Sequence, residues 1–210
     1  SASLIGALVV GDSVRESLRE RALQRLGRIN FALTPGDRFF RAQLSNEIGA
    51  AVPNDSGTAG ALLLLGSAAS VDGQHRANRV QVLGVENSFW HLASQQPAFI
   101  DIPNDSVLLN QALAEQLGAK SGDTVVLRVP KASAFSKDAP LAPQSEATIG
   151  IRANVHAVVP DDGLGRFSLR ATHVPPFNAF VRLDQLAGKA GATNRINQIL
   201  ASWPAADQPS

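Results

Sequence analysis

The stretches AGALLLLGS at residues 59–67 and NRVQVLGV at residues 78–85 decide the fold of this chain. The first is almost continuously apolar, which is typical of a strand buried on both faces. The second alternates apolar and polar residues, which indicates a strand with one buried face. A polar turn of Asp72, Gly73 and Gln74 lies between them, so we predict a β-hairpin.

An amphipathic helix is predicted upstream of this hairpin, over residues 12–27, where one helical stripe collects Val14, Leu18, Ala22, Leu23 and Leu26. Asp12 or Ser13 can cap its N-terminus, and Gly27 can take the left-handed position after its end. A strand-like segment follows at 29–33. Helical spacing is then found again among four apolar residues, namely Phe39, Phe40, Leu44 and Ile48.

Downstream of the hairpin, a helix is predicted from about Val107 to Leu117, stopped by Gly118. A tight turn at Gly122 and Asp123 leads into a predicted strand, Thr124–Val129.

The rest of the chain contains two further strand signals. Residues 131–147 are rich in Ala, Ser and Pro and show no period, so we predict a mobile hairpin loop, with 148–159 as the returning strand. A short strand at 179–183 and a helical turn at 183–188 follow. The last apolar run is 196–200, and the ending ASWPAADQPS is expected to fray.

Composition excludes several classes of function. Hydrophobic residues make up 44% and charged residues 18% of the chain, as in ordinary folded proteins. Nineteen Lys and Arg against eighteen Asp and Glu give a net charge of +1, which supplies no field to attract nucleic acid. The absence of cysteine excludes disulfides, thiolate metal sites and a cysteine nucleophile.

The chain begins with an uninterrupted apolar run from Leu4 to Val10. This run is shorter than the ~20 residues that cross a bilayer. It suits either a buried strand or the end of a membrane helix at the water boundary. A secretory signal peptide is not favoured, since no basic segment precedes the run and no cleavage pattern follows it.

A set of segments resembles, in order, the extracytoplasmic domain of MacB/FtsX-like ABC transporter permeases. The segments are GALVVGDSVRESLRERALQRLG, DRFFRAQL, ANRVQVLGVENSFW, LNQALAEQLGAKSGDTVVLRV, GLGRFSL, NAFVRLDQL and NRINQIL. Together they span nearly the whole chain. The long 131–147 loop departs from the better-known members of the family.

The resemblance implies an α+β fold with two lobes. Residues 1–27 would form a membrane-proximal stalk helix that continues a membrane helix ending at Leu4–Val10. Residues 28–96 and 193–203 would form a porter-like α+β lobe, and residues 97–192 an inserted mixed α/β lobe of the Sabre type. Residues 204–210 would be a tail.

The resemblance also implies a noncatalytic role in a membrane-anchored permease, on the periplasmic side of the inner membrane. The partners would be the cognate ABC ATPase and a second permease copy. An envelope protein or a lipophilic or peptide substrate would be a third partner, whereas nucleic acid is not expected. No catalytic, cofactor-binding or metal-binding residue is implied, and the sequence has no GxxxxGK[ST] phosphate loop.

A competing hypothesis is a serine esterase. Gly11-Asp12-Ser13-Val14 is similar to the nucleophile block of GDSL/SGNH hydrolases, and Asp72 with His75 has the spacing of the activating Asp-x-x-His pair. That pair lies in the middle of the chain, however, whereas the family places it near the C-terminus. A helix cap at Asp12 or Ser13 explains the same residues more simply.

The remaining polar motifs favour structural explanations. Four histidines, His75, His91, His156 and His173, lack the spacing of a zinc site. Asp161 and Asp162 beside Gly163 and Gly165 lack the oxygen-rich spacing of an EF-hand, so a turn between strands is expected. Gly163-Leu164-Gly165-Arg166 lacks the lysine and the following helix of a phosphate-binding loop.

Two surface hypotheses remain open. The pairs Phe39–Phe40 and Phe89–Trp90 could dock a partner, but the default for such pairs is one ring in the core. Five arginines could contact lipid headgroups, or could line a solvated face or a dimer interface. They are Arg15, Arg19, Arg21, Arg25 and Arg28.

Overall fold

The computed structural model describes residues 25–36, 38–51, 57–97, 101–131, 148–170 and 174–203. Within these ranges there are ten strands: β1 (Phe31–Leu33), β2 (Phe40–Arg41), β3 (Gly57–Ser70), β4 (Arg76–Val85), β5 (Ser106–Asn110), β6 (Thr124–Pro130), β7 (Thr148–Val159), β8 (Asn178–Arg182), β9 (Arg195–Ile196) and β10 (Gln198–Ser202). The α-helices of the same ranges are α1 (Gln43–Ala51), α2 (Asn87–Trp90), α3 (Gln111–Leu117) and α4 (Leu183–Ala190). The predicted α+β class is confirmed.

The central hairpin is the predicted one, and both of its strands are longer than expected. β3 pairs antiparallel with β4, and the register shifts between Gly66 and Ser67, which leaves Arg79 as an extra residue in β4. Arg79 has a φ of 58°. Such a bulge offsets the alternation of side chains by one residue. Ala77 and Val80 therefore face the same core although they are three residues apart.

The main sheet closes on itself. Its strand order is β1-β10-β3-β4-β8-β5-β7-β6, and β6 also pairs with β3. Since β4 and β6 both pair with β3 over 67–69, they lie on its opposite edges. Six strands, β3-β4-β8-β5-β7-β6, thus form a closed ring. All six contribute side chains to one core, among them Leu64, Val82, Val107, Leu127, Ala153 and Val181.

A second core lies on the outer face of the ring and is centred on aromatic side chains. Phe89 and Trp90 of α2 meet Phe167 and Phe180, with ring centroids 5.1–5.9 Å apart. β7 contributes side chains to both cores because it contains a bulge. Val107 pairs with Val155 but Leu108 pairs with Ala157, so His156 is an extra residue in β7. The extra residue turns Ala157 and Val159 toward this second core.

The ends of the described chain pair with each other beside the ring. β10 lies between β1 and the first residues of β3, and β9 pairs with β2. The predicted division into two lobes is not confirmed. Strands from 28–96 and from 97–192 share the ring, because β4 pairs with β8 and β3 with β6.

Two predicted helical stretches are wrong in part. Residues 106–110 form β5, and α3 begins only at Gln111 because Asn110 caps it, accepting a 3.1 Å hydrogen bond from the Leu113 amide. Phe40 belongs to β2, so helical spacing at 39–48 holds only from Gln43 onward. Long-range pairing with β9 overrides the local period there.

Other predictions are confirmed or fall outside the described residues. Gly118 adopts a φ of 61° after α3, as predicted for a helix end; Gly27 has a φ of 56°, and most of the helix predicted to precede it lies outside the described residues. The returning strand β7 pairs antiparallel with β6, as predicted. The stalk-helix residues 1–24, most of the 131–147 loop and the tail 204–210 lie outside the described ranges. Among the helices that are described, none has the length and apolar character to cross a bilayer.

Candidate functional site

The two ends of the described chain meet at one edge of the sheet. The Arg28 amide donates a 2.8 Å hydrogen bond to the Leu92 carbonyl, which fixes the turn that enters the fold. At the other end, the Trp203 amide donates to Asn30 Oδ1 at 2.8 Å, and Asn30 Nδ2 donates to the Trp203 carbonyl. The described chain therefore enters and leaves this fold at two residues that hydrogen-bond to each other, Asn30 and Trp203.

An exposed apolar surface lies at this meeting point, which we name the edge patch. It consists of Phe31, Leu33 and Trp203, whose exposed fractions are 58%, 51% and 41%. The Phe31 and Trp203 rings pack edge to face with centroids 6.2 Å apart. β1 is the end strand of the eight-stranded sheet and, among the described strands, pairs only with β10. Sequence reasoning missed this patch, because Trp203 falls within the ending that is expected to fray.

A polar cleft of about 440 Å³ lies where α1, α2 and the start of α4 approach one another. Its lining comprises Asn46, Val85, Glu86, Asn87, Ser88, Trp90, Asp101, Ile102, Arg182, Leu183 and Asp184. Arg182 donates to both carboxylate oxygens of Asp184, at 3.0 Å from Nε and 2.7 Å from Nη2. This hydrogen bonding lowers the pKa of Asp184 and raises that of Arg182.

The cleft carries excess negative charge, because Glu86 and Asp101 join the Asp184–Arg182 pair. In the ranges that the structure describes, no group of three or more His, Asp or Glu side chains is arranged to hold a metal ion. The Trp90 indole Nε1 is buried, and it has no hydrogen-bond partner among the described residues. Sequence reasoning missed this cleft as well, since its residues come from four separate segments.

The residues of the esterase hypothesis are only partly described. Asp72 Oδ1 accepts hydrogen bonds from the Ser70 hydroxyl and from the Gln74 amide, the latter at 3.0 Å. These bonds lower the pKa of Asp72. The carboxylate thus stabilises the β3–β4 turn, where the His75 amide also donates to Ser70 Oγ at 3.1 Å. Ser13 lies outside the described residues.

The described histidines occupy three separate elements. His75 is in the β3–β4 turn, His91 follows α2, and His156 is the extra residue of the β7 bulge. All three are exposed, and His91 Nδ1 accepts a 2.9 Å hydrogen bond from Gln96. His173 lies outside the described residues.

Residues 161–166 form a turn between β7 and β8, as predicted. Gly165 is needed in this turn because the backbone of Pro160 packs closely against it. Asp161–Gly163 is a single 3-10 turn. A Cβ atom on Gly165 would stand 2.5 Å from the Pro160 carbonyl oxygen, too close for any other residue. The Gly165 carbonyl accepts a 2.9 Å hydrogen bond from Asn178. Arg166 lies 3.6 Å from Asp161 at the surface, where such pairs contribute little.

The aromatic and arginine hypotheses have different outcomes. Phe89 and Trp90 are both fully buried, so this pair belongs to the second core and is not a docking surface. Phe39 and Phe40 are half-buried against the first core. Of the five arginines, only Arg25 and Arg28 are described; Arg25 is half-buried and Arg28 is exposed.

No protein-family model and no curated protein matches the chain. Among solved structures, the fold is similar to the extracellular domain of the noncanonic ABC-type transporter YknZ from Gram-positive bacteria. That similarity has a TM-score of 0.47 at 13% identity, over 84% of this chain and 76% of the other. The periplasmic region of MacB from Actinobacillus actinomycetemcomitans is also similar, with a TM-score of 0.45 at 14% identity, over 85% of this chain and 67% of the other. The first is the extracellular domain of an ABC-type transporter and the second is a periplasmic region of MacB, the kinds of domain that the sequence segments resemble.

Proposed function

We propose that this chain is the noncatalytic extracytoplasmic domain of an ABC transporter permease. In this role it couples ATP-driven motion in the cytoplasm to substrate export or to signalling outside the membrane. It belongs on the periplasmic side of the inner membrane, within a multi-pass parent protein.

The observation that carries the proposal is the meeting of the two ends of the described fold at Asn30 and Trp203. A domain that connects two consecutive membrane helices must begin and end close together, because both helices cross the same bilayer. The hydrogen bonds between Asn30 and Trp203 provide this proximity across 173 residues of sequence. The ordered family resemblance of the sequence points to the same arrangement.

The closed ring supports a mechanical role. Several of the resembling segments build it: NRVQVLGV contains most of β4, LNQALAEQLGAKSGDTVVLRV continues from β5 through α3 into β6, and NAFVRLDQL contains β8 and the start of α4. A closed ring has no free edge that can slip, and buried side chains from all six strands meet in its interior. Such a body moves as a unit when force is applied at one point, here the paired chain ends.

The partners follow from this role. A cognate ABC ATPase supplies the energy through the membrane part of the parent protein, and a second permease copy completes the transporter. An envelope protein or a lipophilic or peptide substrate is engaged outside the membrane.

The proposal is tested by labelling Val71→Cys in intact cells that express the full-length parent protein. Val71 is 51% exposed in the β3–β4 turn, and the chain contains no native cysteine. We expect a membrane-impermeant maleimide to label this variant without permeabilisation. The matched control is Ala179→Cys, whose position is fully buried and should stay unlabelled. Labelling of Val71→Cys only after the inner membrane is opened would contradict the proposal.

A further inference from the structure

Within the part of the chain that the structure describes, β1 is an edge strand without the usual protection against pairing. Natural edge strands carry charged residues, proline or a covering element. Phe31, Ala32 and Leu33 carry no charge, contain no proline and are all exposed. At the opposite end of the strand order, β6 is paired with β3. Among the described strands of this sheet, β1 therefore has a free edge with backbone groups available for hydrogen bonding.

The side chains beside this free edge are held in place before any partner binds. Asn30 bonds to both backbone groups of Trp203, and the Trp203 ring packs against Phe31. An apolar surface that is already ordered loses little conformational entropy when it is covered.

We infer that β1 pairs antiparallel with β1 of a second copy of this chain, about a two-fold axis at Ala32. This inference rests on the proposed function, because a dimeric permease places two copies side by side. In this register Ala32 faces its own symmetry mate, and Phe31 faces Leu33 of the other copy on both sides of the axis. Aromatic–aliphatic cross-strand pairs of this kind are favourable, and no like charges meet on the strand.

The chemistry of the edge favours a protein strand over a lipid surface. Free N–H and C=O groups cannot be satisfied by hydrocarbon, so burying the edge of β1 in a bilayer would leave them without partners. A second β1 satisfies them and covers Phe31 and Leu33 at the same time.

The pairing is expected to be weak when the chain is free in solution. Three residues on each side bury far less than the ~1,200 Å² of a stable interface. Two copies tethered in one membrane complex reach effective concentrations of roughly millimolar, at which a weak pairing becomes populated. The purified chain should therefore be monomeric when dilute and pair only when concentrated.

Cysteine cross-linking of the purified chain tests the inference, because the native sequence has no cysteine. Residues directly opposite in an antiparallel pair have Cα atoms about 4.5–5.5 Å apart, within the range of a disulfide. In a concentrated sample under mild oxidation, Ala32→Cys should form dimers about tenfold faster than the exposed controls Leu65→Cys and Val71→Cys, as expected for a locally raised concentration.

Two further variants test the register and the surface. A mixture of Phe31→Cys and Leu33→Cys chains should form mixed dimers faster than either variant forms dimers alone. Together with self cross-linking at position 32, this result is explained only by an antiparallel pairing centred on Ala32. Adding Phe31→Lys to the Ala32→Cys chain should return its cross-linking rate to that of the controls. Phe31 is largely exposed, so this lysine should leave the fold intact, and an unchanged circular dichroism spectrum checks that it does.

Equal cross-linking rates at positions 32, 65 and 71 would overturn the inference. So would slow reaction of Ala32→Cys with a small thiol reagent, because β1 would then be covered by another part of its own chain. The experiment is independent of membrane location. Cross-linking at position 32 combined with cytoplasmic labelling of Val71→Cys would refute the transporter role and keep the β1 pairing.

Discussion

Two fully buried asparagines, Asn110 and Asn178, fix the place where β5 and β8 meet. Asn110 Oδ1 accepts from the Leu113 and Asn178 amides, both at 3.1 Å. Asn178 Nδ2 donates to the Gly165 and Phe167 carbonyls, both at 2.9 Å, and its Oδ1 accepts from Gln81 at 2.9 Å. The Asn178 side chain therefore connects the ring to the 161–167 turn that covers the second core, whereas the Asn110 side chain connects β5 to the start of α3 and to β8.

Replacing Asn178 by Ala should lower the free energy of unfolding by about 2–4 kcal/mol, because buried carbonyl groups lose their partners. Asn78→Ala is the matched control: Asn78 is exposed in β4, and its loss should cost less than about 0.5 kcal/mol. Urea denaturation of both variants measures the difference. Equal stabilities would show that the Asn178 network contributes nothing.

No local pattern in the sequence predicts the role of Asn178. The hydrogen-bond partners of Asn178 are 11 to 97 residues away, so their identity depends on the completed fold. Asn110 has a local signal, since a polar residue before a helical run is a typical N-cap. That signal is ambiguous, because the apolar run 107–109 fits a helix as well as a strand.

At the scale of elements, period-2 patterns predicted β4 and β7 well, and continuous apolarity predicted β3. The bulges at Arg79 and His156 were not predictable, because one extra residue leaves the alternation on each side intact. The pairing of β2 with β9 was also hidden, since it joins residues 40–41 to 195–196. Local patterns thus located most strands and the two hairpin pairings, β3–β4 and β6–β7, but not the partners that are distant in sequence.

One glycine at a helix end and one glycine inside a helix offer a matched pair of substitutions. Gly118 ends α3 with a φ of 61°, and a Cβ atom added there would meet only His75 side-chain atoms, at 3.9 Å or more. Gly118→Ala should therefore destabilise the protein by about 1 kcal/mol through backbone strain alone. Gly188 lies inside α4 with open space around it, so Gly188→Ala should stabilise by about 0.5–1 kcal/mol.

Thermal unfolding of the two variants checks the opposite signs. A stabilising Gly118→Ala would contradict the left-handed helix end. A strongly destabilising Gly188→Ala would contradict the open surroundings of α4.

At the scale of the whole molecule, the sequence predicted the α+β class but not the closure of the sheet. Closure depends on the second half of β3 pairing with β6 while its first half pairs with β10. Local periodicity in the sequence does not reveal that one strand pairs with two different strands along the same edge. The same strand is hydrogen-bonded to β10, which pairs with β1, so continuous strand pairing links the segments at Asn30 and Trp203 to the ring.

The most direct test of the central claim measures motion of the domain during the ATP cycle. Spin labels on Val71→Cys in both copies of the reconstituted permease and its ATPase report the distance between the two domains by pulsed electron resonance. We predict that trapping the ATP-bound state shifts this distance distribution, and that an ATPase unable to bind nucleotide abolishes the shift. The same distribution with and without ATP would contradict the account.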